Sequence, residues 1–214
     1  MPQEENHPHE GDRRREGVSR RRFFQTVGVT AAGTAAELQQ ANAETALRDD
    51  GPRILGPNPV RTRLNVNGRP TEFVAEPAIT LLEALRERCD ITGPKEVCDR
   101  AACGGCTVLV DGEPIASCMM LALDATDRTI TTVEGIGSVE NPDPLQVAMA
   151  EFDAMQCGFC TPGVVTAARA LLDRTPKPSL AEIRSALAGN LCRCGAYPEI
   201  VKAVKLAAQK RKAG

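Results

Sequence analysis

Residues 98–106 read CDRAACGGC: Cys98, Cys103 and Cys106 in one short segment, with Gly104 and Gly105 ahead of the last thiol. Glycine lets the backbone come close to a bound group and aim N–H donors at sulfur. The spacing C-x4-C-x2-C surrounds one face of an iron–sulfur cluster when a fourth cysteine follows further along the chain.

Cys118 is that fourth cysteine. After Cys106 the chain runs out along 107–110, turns at Asp111-Gly112 and returns along 113–117, so the hairpin brings Cys118 back beside the loop. This is the arrangement of plant-type [2Fe–2S] ferredoxins. Structural zinc fits it poorly, because zinc favours paired C-x2–4-C arms.

On the N-terminal side, RTRLNV and TEFVAE alternate around Asn67-Gly68, a strong hairpin signal. ITLLEALRERC reads as a helix, with Thr80 and Glu83 forming a capping box. Residues 129–133 add a strand. Together these predict a small α+β domain over about 61–135.

The second half reads as helices over 144–155, 162–174, 179–189 and 198–212, with apolar residues spaced by three and four. Thr161-Pro162 reads as an N-cap followed by proline at the first helical position. Ser179 and Glu182 form a second capping box. Short connections predict a compact four-helix bundle over about 142–212, its apolar stripes forming an ordinary core.

Four further thiols fall in this half, within MQCGFCTPG (155–163) and GNLCRCGAY (189–197). In an antiparallel bundle both loops lie at one end, where Cys157, Cys160, Cys192 and Cys194 face a single centre. By spacing alone this set suits zinc as well as an iron–sulfur cluster. No βαβ pattern surrounds Cys157 to support a redox dithiol. Cys89, the ninth cysteine, stands at a helix end outside both sets and reads as a small buried apolar residue.

The 214 residues carry a formal net charge of −2, which gives no support for a nucleic-acid partner. No apolar run is long enough for a transmembrane helix. Residues 1–17 are polar and aperiodic. Arg20, Arg21, Phe23 and Phe24 then precede the mildly apolar TVGVTAAGTAA, as in a twin-arginine (Tat) signal. Ala41-Asn42-Ala43 offers a cleavage site, leaving 214 − 43 = 171 residues. A plain arginine-rich tail is the alternative. Export sits awkwardly with nine cysteines, although an odd number argues against complete disulfide pairing. There is no GxGxxG fingerprint, P-loop or spaced nucleophile and base, so no substrate chemistry is expected of the chain itself.

GPKEVCDRAACGGCTVLVDG, QCGFCTPG and GNLCRCGAY, in this order, resemble the iron–sulfur small subunit of the xanthine dehydrogenase/aldehyde oxidase family of molybdenum hydroxylases. The likeness covers about 61–210. With the twin-arginine leader, it comes nearest to the periplasmic aldehyde oxidoreductase members. Val97 and Ala101 depart from it, standing where glycine is frequent.

The resemblance implies an α+β chain: a leader at 1–43, a linker at 44–60, a plant-type ferredoxin-like (β-grasp) domain at 61–138 and a four-helix-bundle domain at 139–214. Each domain would hold one [2Fe–2S] cluster, the first on Cys98, Cys103, Cys106 and Cys118, the second on Cys157, Cys160, Cys192 and Cys194. Gln156 and Cys194 become candidates for contact with a pterin edge, and Arg193 for balancing cluster charge. The implied partners are a large subunit with a molybdenum–pterin cofactor and a medium subunit with FAD. The implied role is to pass electrons from molybdenum to FAD or another acceptor. Twin-arginine export of an already folded chain would deliver both clusters, loaded, to the periplasm. A free-standing electron carrier and a zinc-stapled scaffold are the alternatives.

Overall fold

The computed structural model describes residues 55–210. The leader at 1–43, most of the linker at 44–60 and the last four residues lie outside them.

β1 (Val60–Val66) and β2 (Arg69–Ala75) pair antiparallel through a two-residue turn. Both turn residues take positive φ, 52° at Asn67 and 75° at Gly68, as a tight hairpin requires. α1 (Leu81–Arg88) starts on the expected capping box: Glu83 N donates to Thr80 Oγ1 at 3.2 Å, and Thr80 N donates to Glu83 Oε2 at 2.9 Å. β3 (Thr107–Val110), β4 (Glu113–Ala116) and β5 (Thr129–Thr131) complete a sheet of order β2-β1-β5-β3-β4. β5 closes the sheet by pairing Ile130 with Val66 in parallel and with Val110 in antiparallel. Leu64, Leu81, Leu85, Val108 and Ile130 form the core beneath α1, each shielded from water.

The second half consists of α2 (Pro144–Glu151), α3 (Thr161–Arg174), α4 (Leu180–Ala186) and α5 (Tyr197–Lys210). Leu145, Met149, Val164, Leu172, Ile183 and Ile200 meet in one core. α2 is shorter than its apolar spacing suggests, because the chain turns through Asp153 at φ 47°. Ser179 caps α4 and shares a capping box with Glu182.

The reading of Thr161 as an N-cap is corrected. Cys160 holds the cap position with αR backbone, and Thr161 is already helical. The preceding turn is the cause: Thr161 N donates to Gly158 O at 3.2 Å, so the chain enters the helix one residue early. This leaves Thr161 Oγ1 buried without a protein partner.

The two halves share one compact unit. α3 lies against β3 and β4, and Arg174 Nη1 donates to Glu113 Oε2 at 2.7 Å across the joint. Arg169 on α3 pairs with buried Asp143, the cap of α2, and with Asp173. Among the described residues no helix is long and apolar enough to cross a membrane.

Candidate metal centres

The loop ahead of Cys98 is clamped before it reaches the first thiol. Arg86, in the last turn of α1, donates through Nη1 to the carbonyls of Thr92 (3.1 Å) and Pro94 (3.0 Å). Lys95 N donates to Gly105 O at 2.9 Å, tying the loop's start to its end. Gly93 N donates to Glu134 Oε1 at 2.6 Å.

Within the loop Asp99, Ala101 and Gly104 adopt positive φ of 49°, 55° and 70°. These bends turn amides toward sulfur. Ala101 N donates to Cys118 Sγ at 3.3 Å and Gly105 N to Cys103 Sγ at 3.5 Å. The Arg100 backbone N–H draws the Cys98 thiol down to about 7. Burial pushes Cys118 up to about 11 against the Ala101 donor. Ser117 holds the returning strand in place: its hydroxyl donates to Cys106 O at 2.7 Å. Cys98 and Cys103 lie within hydrogen-bonding reach of each other, and so do Cys106 and Cys118.

The second set gathers similarly. Cys157 pairs with Cys194, and Cys160 with Cys192. The Phe159 backbone N–H holds the Cys157 thiol below its ordinary value, while burial pushes Cys160 up to about 11. Cys192 N donates to Tyr197 Oη at 2.7 Å, fixing the second loop to the start of α5. Gly158 (φ 79°) and Gly195 (φ 81°) supply the left-handed bends. Cys157, Cys194, Gln156 and Arg193 are exposed. Cys89, half-buried at the end of α1, packs against the sheet core away from both sets, its thiol raised by burial.

The two loops touch. Leu191 N donates to Cys103 O at 2.9 Å and Asn190 Nδ2 to Gly104 O at 3.0 Å. A cleft of about 170 Å³ lies between them, lined by Val97, Cys103, Cys157, Phe159, Leu191 and Arg193 among others. Among the described residues no three or more His, Cys, Asp or Glu side chains are grouped to hold a metal ion. The thiols meet as pairs. A pair on each of two irons is what a [2Fe–2S] cluster takes, whereas one zinc needs four donors converging tetrahedrally.

Spacing foretold neither Asn190, Tyr197 nor Gly163, whose missing side chain lets α3 approach the Gly104 carbonyl. All three lie inside the quoted motifs, yet what they touch depends on how the two halves meet.

The family described as "2Fe-2S iron-sulfur cluster binding domain" matches residues 64–130, and that described as "[2Fe-2S] binding domain" matches 132–205. Fold and thiol sets thus define an iron–sulfur protein with two [2Fe–2S] domains in one chain. The nicotinate dehydrogenase small FeS subunit of Eubacterium barkeri is 44% identical over 153 residues, covering 72% of this chain and 98% of that one. The aldehyde oxidoreductase iron–sulfur-binding subunit PaoA of Escherichia coli K12 is 34% identical over 203 residues, covering 88% and 87%. Among solved structures, quinoline 2-oxidoreductase from Pseudomonas putida 86 superposes with a TM-score of 0.70 at 40% identity, covering 73% of this chain and 98% of the matched one. The chain belongs to the small iron–sulfur subunits of the xanthine dehydrogenase/aldehyde oxidase family of molybdenum hydroxylases.

Proposed function

We propose that Cys98, Cys103, Cys106 and Cys118 hold one [2Fe–2S] cluster and Cys157, Cys160, Cys192 and Cys194 a second, in a β-grasp domain (61–138) and a four-helix bundle (139–214). The observation behind this is the gathering of each set into two facing thiol pairs. When bound, each cluster accepts and releases a single electron. The chain serves as the electron-transfer subunit of a molybdenum hydroxylase, between a large molybdenum–pterin subunit and an FAD subunit or another acceptor.

The chain's own groups prepare that transfer. Amides of Ala101 and Gly105 aimed at sulfur favour added negative charge, as donors to a thiolate do. Leu191 N–H on the Cys103 carbonyl links the residue before Cys192 to a ligand of the first centre. Phe159 and Leu191 are exposed apolar side chains beside the exposed thiols, suited to burial against the molybdenum subunit. Gln156 and Cys194 face the pterin edge in this reading, and Arg193 offsets cluster charge.

Metal analysis of the purified complex tests it. Two irons and two acid-labile sulfides per centre, with two distinct paramagnetic signals on reduction, are expected; zinc in place of iron would overturn it.

Residues 1–43 act as a twin-arginine signal that carries the folded complex to the periplasm. The match to PaoA, which reaches 88% of the chain where the nicotinate dehydrogenase subunit reaches 72%, supports a leader in common with an aldehyde oxidoreductase. Replacing Arg20 and Arg21 by lysine should hold the loaded complex in the cytoplasm. Continued periplasmic appearance would reduce residues 1–43 to a tail.

A further inference from the structure

The Gly104 carbonyl accepts more donors than it needs. Thr107 reaches it twice, through its hydroxyl at 2.7 Å and its amide at 3.2 Å. A carbonyl oxygen has two lone pairs, so Thr107 alone satisfies it from within its own domain. Asn190 Nδ2 nonetheless comes across 86 positions to the same oxygen at 3.0 Å, and lies 3.4 Å from the Thr107 hydroxyl. Asn190 is 6% exposed, so its amide is committed to this joint. Gly163, at the start of α3, presses on the same point: a methyl group there would overlap the Gly104 carbonyl. Beside it, Leu191 N binds Cys103 O. Two successive residues of one cysteine loop are therefore fastened to two successive residues of the other, and a third segment has been cleared of side chain to let them meet.

We infer that Asn190 is a positioning residue for electron transfer between the two centres, fixing with Gly163 the separation and orientation at which Leu191 meets Cys103. This rests on the reading of the two thiol sets as cluster sites. In the step concerned, one electron leaves the reduced second centre, which is oxidised, and enters the oxidised first centre, which is reduced. No bond forms or breaks and no proton need move, so geometry governs the rate. A buried amide whose acceptor is already satisfied contributes chiefly to the register of the two loops.

The test uses the complete complex, comparing the unaltered chain with Asn190→Ala, Asn190→Asp and Gly163→Ala. Iron content and the two individual cluster signals are recorded first; their absence from the unaltered chain would overturn the cluster reading itself. With both clusters present, Asn190→Ala should lose the magnetic splitting between the two reduced centres and slow reduction of the first centre by the second. Asn190→Asp, which keeps the size but loses the donor, and Gly163→Ala, which wedges the joint with Asn190 in place, should do the same. Arg174→Ala, which cuts only the exposed ion pair to Glu113, should leave both readouts unchanged. If Asn190→Ala loses a cluster, the other two variants decide. Unchanged splitting and transfer rate in cluster-replete variants overturn the inference.

Discussion

The two cysteine loops solve one problem by opposite means. In the first, Cys106 and Cys118 are 2% and 4% exposed, while in the second Cys157 and Cys194 face solvent. The first bends through Asp99 and Ala101, L-residues in the left-handed region. Its second-half counterpart makes its two left-handed bends at Gly158 and Gly195. Left-handed backbone at a residue with a Cβ costs about 1–2 kcal/mol and persists where the surroundings over-determine it. Arg86, Lys95 and Glu134 supply those surroundings for the first loop. The first centre sits in a strained, enclosed socket, and the second in a relaxed, open one.

The largest expected effect would show whether the sockets are independent. Cys98→Ser should abolish one paramagnetic signal and half the iron, and Cys157→Ser the other. Cys89→Ser should leave both, since it lies outside each set. A substitution that erased both centres in a folded chain would break the comparison.

Next come the supporting cores. Leu85→Ala beneath the sheet and Leu172→Ala among the helices each remove a side chain that is at most 1% exposed. Each should cost about 2–5 kcal/mol in denaturant unfolding. The strained socket makes the sharper prediction: Leu85→Ala should also lower occupancy of the first centre, with the second retained.

Smaller still is a pair of opposite sign. Ala101→Gly relieves the left-handed bend and should stabilise the chain by up to about 1 kcal/mol, whereas Gly158→Ala should cost about 1 kcal/mol. No atom lies near an added Cβ at Gly158, so that cost is conformational alone. Equal signs in thermal unfolding would mean that the loops do not differ in strain.

The smallest effect concerns α4. Ser179 holds the Glu182 carboxyl below its ordinary value through its hydroxyl and N–H. A depressed carboxyl pKa adds stability that is present above the unfolded value and is lost as pH falls through the lowered one. Ser179→Ala should shrink that acid-side loss in pH-dependent melting and leave both sockets unaltered.

What the sequence made legible was local. Asn67-Gly68 and the Thr80–Glu83 and Ser179–Glu182 boxes act within four residues, so their residue types suffice. The thiol sets were legible because ligand chemistry restricts spacing. The parallel pairing of β1 with β5 was not, since alternation fixes a strand's faces and not its neighbour. Thr161 misled because the preceding turn had already begun the helix. Asn190 and Gly163 stayed silent because their meaning lies on a partner loop some eighty-six positions away in the first case.

The near-complete enclosure of Cys106 and Cys118 bears on maturation. An iron donor cannot reach thiols shut beneath a closed hairpin, so the first socket must be filled while its sheet is still forming. The second presents two thiols at the surface and can be loaded after its helices have packed. Cluster insertion is thus part of folding in one half of the chain and a reaction on a finished surface in the other.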